Sequence, residues 1–247
     1  IFVTLLIIVS GKKGIYAIAG LLFSLSIIFH FIIPRILNGS NPIITALIGA
    51  IITPIGTLYL SYGFNKKSIS AFLGITITLI FVGIAANYSI YQLHFSGFGS
   101  EESIYLNSET GENINLIGLV IAGIIIAAIG ILDDIAITQA SIVLSLASTN
   151  KSLDRLQLFK EAMEIGKDHI SAVVNTLVLA YTGAALPTLL LFNLTSLPIN
   201  YALSLDTIAE EIVRTLISTS GLVMAVPITT LIAVLLKDIH GSSLHDS

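Results

Sequence analysis

Long runs of apolar residues alternate with short polar connections along this chain. A helix that crosses a bilayer needs about 20 apolar residues, and six runs come near that length. The runs are continuously apolar instead of alternating, so they predict helices and argue against a transmembrane barrel. The predicted spans lie near residues 14–34, 42–62, 69–93, 114–132, 171–192 and 212–236. A shorter apolar stretch, residues 1–9, is interpreted as the remnant of a further span.

We therefore predict an all-α fold, a polytopic transmembrane helix bundle that forms a single domain over residues 1–247. It has six complete spans and a truncated N-terminal one. Between spans four and five, residues 135–148 mix apolar and polar side chains, and Ser152 can cap a second helix. These segments predict amphipathic helices on the cytoplasmic side. Residues 94–113 are rich in Gly, Ser, Asn and Glu and predict an exposed loop.

Composition supports a lipid environment. The chain is 55% hydrophobic and 11% charged, with a mean hydropathy of +0.96. A soluble domain is about 45–50% apolar and about 25% charged, so the lipid bilayer is the predicted partner of the excess apolar surface. The net charge of -4 and the lack of a basic stripe argue against nucleic-acid binding. The absence of cysteine excludes disulfides, Cys-ligated zinc and thiol catalysis.

Basic residues are distributed unevenly between the two sides. If every run crosses the membrane, nine of the eleven Lys and Arg residues fall on one side. Only Arg35 and Arg214 fall on the other. Because cytoplasmic loops carry an excess of Lys and Arg, we predict a multi-pass protein of the cell membrane with its Lys-rich loops in the cytoplasm.

Two adjacent carboxylates, Asp133 and Asp134, follow the fourth apolar run. Ionisable groups at the edge of the hydrocarbon are candidates for function, and two neighbouring carboxylates repel, which favours protonation of one. The pair is therefore a candidate ion or proton relay. A second interpretation remains open, in which these residues cap the helix that follows or anchor the chain at the membrane interface.

A second polar block, Asp168 and His169, opens the fifth run, with Asn175 two turns further on. If the connecting helices fold back, these two residues approach Asp133 and Asp134. Three carboxylates and an imidazole are a plausible set of ligands for a divalent cation, although the sequence names no metal. A histidine in this position is more often an ordinary residue of the membrane interface than a metal ligand, so both interpretations of His169 stay open.

Glu210 and Arg214 are spaced i,i+4 with Glu first, the favourable order on a helix, where the last span begins. They predict a structural ion pair or a substrate contact. With Gln139 and Asn175 they form the supporting polar set. The chain has no H-E-x-x-H, G-x-S-x-G, Walker A or G-x-G-x-x-G signature, which favours a protein that is not an enzyme and binds no cofactor.

The Asp133-Asp134 block within residues 130–141 and the Asp168-His169 block within 166–170 resemble the YibE/F family of multi-span bacterial membrane proteins. The likeness extends to residues 62–67, 174–181, 209–214 and 221–227. It implies several membrane spans, and some members carry an extracytoplasmic domain before them. The family's activity is largely uncharacterised, so the resemblance transfers no catalytic residues.

The sequence favours a transporter or permease-like protein for a small solute or ion, because apolar runs interrupted by proline accompany acids at the membrane edge. One alternative is a membrane component that binds a partner protein, with a paired membrane subunit or a second copy as the candidates. The other is an intramembrane metal-dependent enzyme built on Asp133, Asp134, Asp168 and His169.

Overall fold

The computed structural model describes residues 1–111, 113–194 and 198–237, and no strand occurs within these ranges. A π-helical turn, Ile28–Ile32, joins the second and third helices. The helices are α1 Phe2–Ser10, α2 Lys12–Ile27, α3 Ile33–Leu37, α4 Pro42–Tyr62, α5 Lys66–Gln92, α6 Glu101–Glu109, α7 Leu116–Thr149, α8 Arg155–Ala184, α9 Leu186–Leu194, α10 Ile199–Leu203 and α11 Asp206–Leu236. The all-helical prediction is confirmed.

Within the described residues, five helical segments are long and apolar enough to cross a membrane: α2 with α3, α4, α5, α7 and α11. The fifth predicted run is different, because α8 and α9 meet at an angle of 59° and pass the same test only together. Pro187 explains the break, since it has no N–H and its ring clashes with the carbonyl four residues earlier. Residues 171–192 are therefore a bent pair of helices and not the single helix expected.

Helix α7 is 34 residues long, which corresponds to about 51 Å at about 1.5 Å per residue. Residues 135–148 continue this helix, so the prediction of a separate amphipathic helix there is wrong. The helix continues because buried side chains in this segment recur at helical spacing and keep one face of α7 against the bundle. They are Ile135, Ala136, Gln139, Ala140 and Val143.

The start of α8 also differs from the prediction. Asp154, and not Ser152, caps this helix by accepting a hydrogen bond from the Gln157 N–H, and the Gln157 side chain accepts one from the Asp154 N–H. Helix α8 then runs without a break into the predicted fifth span. The connection expected to be a plain exposed loop, residues 94–113, contains α6, which Ser100 caps.

The stretch 1–9, interpreted as the remnant of a span, lies in α1 from Phe2 onward, and α1 packs along α2. The turn between them is made at Gly11, whose φ of 55° lies in the left-handed region that glycine adopts without strain. A Cβ on Gly14 would lie 2.6 Å from the Leu6 carbonyl oxygen, so the two helices touch through their backbones.

The core lies between α5, α7 and α11, which pack against one another. Helix α4 packs on α5 and α7, α2 packs on α4, and α8 packs on α11 and α7. Large side chains that are fully buried in this core are Ile75, Leu79, Ile121, Ile125, Leu132 and Leu222. Small residues allow the helices to approach closely.

Hydrogen bonds tie three segments together at one end of the bundle, called the basic end below. Lys66 Nζ donates to the Lys237 carbonyl over 2.8 Å, and Lys237 Nζ donates to the Leu153 carbonyl over 3.0 Å. At the opposite end, the hydroxyl of Ser96, just after α5, donates to the Asp206 carboxylate at the start of α11. Helices α5 and α11 therefore run antiparallel.

Candidate functional site

The two adjacent aspartates lie in the interior of α7. They do not cap a following helix, because no helix begins there; that interpretation is wrong. Asp133 is partly buried and Asp134 is exposed. Thr57 of α4 lies beside Asp133, and the atoms Asp133 Oδ1 and Thr57 Oγ1 are both buried. A relay role for the two aspartates stays a prediction.

The second polar block lies on α8. Asp168 and Asn175 are exposed, and His169 is partly buried, with Nε2 making no hydrogen bond to a described residue. Among the described residues, no three His, Asp or Glu side chains are placed to hold one metal ion. The predicted cluster of three carboxylates and an imidazole is therefore not formed. Helix α8 does pack back on α7, but Asp134 and Asp168 are exposed instead of buried between the two helices.

Gln139 has a structural role that its position in the sequence did not indicate. Its side chain is 2% exposed, and its Nε2 donates to the Ala162 carbonyl of α8 at 3.0 Å and to Thr230 Oγ1 of α11 at 2.8 Å. Gly166 provides the space, since a Cβ there would lie 2.6 Å from Val226 Cγ1 and 3.0 Å from Gln139 Oε1. Gln139 therefore joins α7, α8 and α11.

The end of the bundle opposite the basic end holds the charged start of α11. Glu210 is 8% exposed, and its Oε1 is buried without a hydrogen bond to any described residue. Arg214 pairs with Glu211, whose Oε2 is 3.7 Å from Arg214 Nε, and not with Glu210 as its i,i+4 spacing predicts. At that distance Arg214 Nε makes no hydrogen bond with a described residue either.

Residues 95–103, called the strap below, cover Glu210. Asp206 accepts from the Ser96 hydroxyl, and the Thr207 hydroxyl donates to the Gly99 carbonyl, so α11 holds the strap at two points. Gly99 lies so close to Glu210 that a Cβ would be 2.7 Å from the carboxyl carbon. Only a residue without a side chain allows this approach.

A cavity of about 350 Å³, called the Glu210 pocket below, lies between the strap and helices α7 and α11. Its polar walls are formed by Ser100, Ser103, Thr207, Glu210, Glu211 and Arg214. The apolar side chains of Leu116, Leu119 and Val120 from α7 close it. The pocket therefore combines two carboxylates, one guanidinium and three hydroxyl groups.

A larger cavity of about 840 Å³, called the α8–α11 cavity below, lies between the bent pair α8–α9 and the first turns of α11. It is lined mainly by apolar residues, with Tyr181, Thr188 and Asn193 among its polar groups. Thr207 and Glu211 line both cavities. The two spaces therefore adjoin at the charged start of α11.

Sequence reasoning identified Glu210 and Arg214 but missed Glu211, Gly99 and Tyr181. Glu211 could have been found from its i,i+3 spacing to Arg214, which is also a contact distance on a helix. Gly99 carried no such signal, because its partner is more than a hundred residues away in the chain. Tyr181 is an unremarkable aromatic residue within an apolar run.

Comparison with known proteins gives one match. The family model described as YibE/F-like protein matches residues 1–238. No curated protein and no solved structure matches the chain.

Proposed function

This chain belongs to the YibE/F-like protein family of membrane proteins, and we propose that it is a permease for a small solute or ion. The solute enters through the α8–α11 cavity and reaches the charged groups at the start of α11. One observation carries this proposal: the cavity wall is a broken helix pair, and the carboxylate of Glu211 lines the same cavity.

Both parts of that observation are typical of transport sites. Transporters build their binding sites from discontinuous helices, because the break places polar backbone groups next to a water-filled space. Ionisable side chains are costly at membrane depth, so those that occur there are candidates for contact with a substrate. Glu211 is the candidate for such a contact, since it is ionisable and lines both the α8–α11 cavity and the Glu210 pocket.

The distribution of lysine residues between the two ends of the bundle indicates the side of the membrane from which the cavities are reached. Lys66, Lys67, Lys160 and Lys237 belong to the Lys-rich segments, and two of them help to hold the basic end together. We assign the basic end to the cytoplasm, because Lys and Arg accumulate on that side of a membrane. Both cavities then lie toward the outside of the cell.

Flux into liposomes tests the proposal. Purified protein is reconstituted, and uptake of labelled Na⁺, Rb⁺, phosphate, glycine and glucose is compared with that of protein-free liposomes. At least one probe should enter faster with protein, and Thr215→Trp should remove the difference, because Thr215 lines the α8–α11 cavity and an indole fills space there.

Ser220→Trp is the matched control. Ser220 also lies on α11, and like Thr215 it donates its hydroxyl to the carbonyl four residues earlier, but it is exposed and does not line the cavity. This variant should keep wild-type uptake. Uptake equal to that of empty liposomes for every probe, or equal loss in both variants, contradicts the proposed path.

The second hypothesis, a membrane component that binds a paired subunit or a second copy, also remains a prediction. Co-purification of a stoichiometric membrane partner, together with no uptake of any probe, would favour it. An enzyme built on Asp133, Asp134, Asp168 and His169 is not proposed, because these side chains do not form a shared metal site within the described part of the chain.

A further inference from the structure

Two buried atoms in the Glu210 pocket, one on Glu210 and one on the partly buried Arg214, have opposite hydrogen-bonding needs. Glu210 Oε1 is an acceptor and Arg214 Nε is a donor, and neither makes a hydrogen bond with a described residue, although Arg214 has Glu211 as an ion-pair partner at 3.7 Å. Buried polar atoms are nearly always paired, and a charged group left without a partner is costly. Because both residues line one cavity, a single bound molecule can satisfy both.

The chemistry of the two groups defines the two ends of that molecule. A guanidinium presents its donors as a planar fork that matches the two oxygens of a carboxylate. A carboxylate that lacks a donor is satisfied by an ammonium group, which offers three. The hydroxyls of Ser100 and Ser103 line the same space and add adaptable donors and acceptors.

Charge argues against simpler ligands. A lone anion at Arg214 would face the carboxylates of Glu210 and Glu211, and a lone cation at Glu210 would face the guanidinium of Arg214. A molecule with both charges offsets each repulsion by placing each of its charges beside a side chain of opposite charge. The volume of about 350 Å³ and the cover of the strap favour a small molecule.

We propose that the Glu210 pocket binds a small zwitterion that carries an ammonium and a carboxylate group, of the amino-acid class. The ammonium group lies at Glu210 and the carboxylate at Arg214. The binding site does not require transport; only the further claim that this ligand is carried across the membrane rests on the proposed function.

Equilibrium binding of labelled glycine to the full chain in lipid nanodiscs tests the inference. We expect saturable binding that alanine and γ-aminobutyrate displace and that ethylamine and acetate, each with one charge, do not. Glu210→Gln and Arg214→Gln should each weaken binding about tenfold or more, the effect of losing one charge-assisted hydrogen bond. Arg214→Lys keeps the charge but loses the fork and should weaken binding less than Arg214→Gln.

Glu109→Gln is the matched control, because Glu109 is an exposed carboxylate of α6 near the same end of the bundle and does not line the pocket. It should bind glycine like the wild type. The inference is overturned if folded wild-type protein binds none of the three zwitterions, or if ethylamine or acetate alone competes as well as alanine. Zwitterion binding without uptake of any probe into liposomes supports the binding site and contradicts the permease. Uptake of another probe without zwitterion binding supports the permease and contradicts the binding site.

Discussion

Replacing Gly74 by Ala is expected to destabilise the bundle by about 1–3 kcal/mol, the usual cost of inserting a methyl group into a packed core. Gly74 of α5 faces Thr229 of α11. An added Cβ would overlap the Thr229 hydroxyl and lie 3.0 Å from its Cβ and 3.2 Å from its Cα. The Cα belongs to the backbone of a core helix, so relief requires α11 to move away from α5. Thermal unfolding in detergent measures the effect as a lower melting temperature.

Gly83→Ala provides a control on the same helix. A Cβ at Gly83 would lie 3.7 Å from Ile125 Cδ1, which is an ordinary van der Waals contact. Since Ala is favoured over Gly within a helix by about 1 kcal/mol, this variant should be as stable as the wild type or more stable. Equal melting temperatures for the two variants would contradict the close approach of α5 and α11.

Gln139→Leu is expected to lower the free energy of unfolding by about 1–3 kcal/mol, the cost of leaving a buried polar group without its partner. The substitution keeps the approximate size of the side chain but removes both donors from the joint between α7, α8 and α11. Thr230→Val removes the acceptor of one of these two hydrogen bonds, the one that Gln139 Nε2 donates to Thr230 Oγ1. The double variant should lose less than the sum of the single losses, because the shared bond is lost only once.

Asn175→Leu is the control for this prediction. Asn175 is an exposed polar residue of α8, so its replacement should leave the melting temperature unchanged or raise it. A Gln139→Leu variant that melts with the wild type, or single losses that add fully in the double variant, would show that the three helices are not joined at Gln139.

The helices could be predicted because hydrocarbon imposes a simple pattern: long apolar runs must be helical. Their ends were harder to predict. Asp133 and Asp134 marked the edge of the apolar run, but an α-helix continues through two aspartates when the next turns have a face to bury. The side chains of Ile135, Gln139 and Val143 carried that helical spacing in the sequence.

The candidate site was predictable only in part. Glu210 and Arg214 were found because charge is conspicuous in an apolar chain. Their actual arrangement depends on the strap, whose Gly99 reaches Glu210 from a distant part of the sequence. Sequence spacing describes contacts along one helix, so it identified the charged turn of α11 without the cover that turns it into a pocket.

The arrangement of the two ends across the membrane is the claim on which the proposed path of the solute depends, and cysteine labelling tests it most directly. The chain has no cysteine, so a single introduced thiol is the only target. Ser103→Cys lies at the Glu210 pocket, and Lys160→Cys is exposed at the start of α8, near the basic end. In intact cells, a membrane-impermeant maleimide should label the Ser103→Cys variant and should label the Lys160→Cys variant only after permeabilisation. Labelling of both variants in intact cells, or the reverse order, would contradict the proposed arrangement.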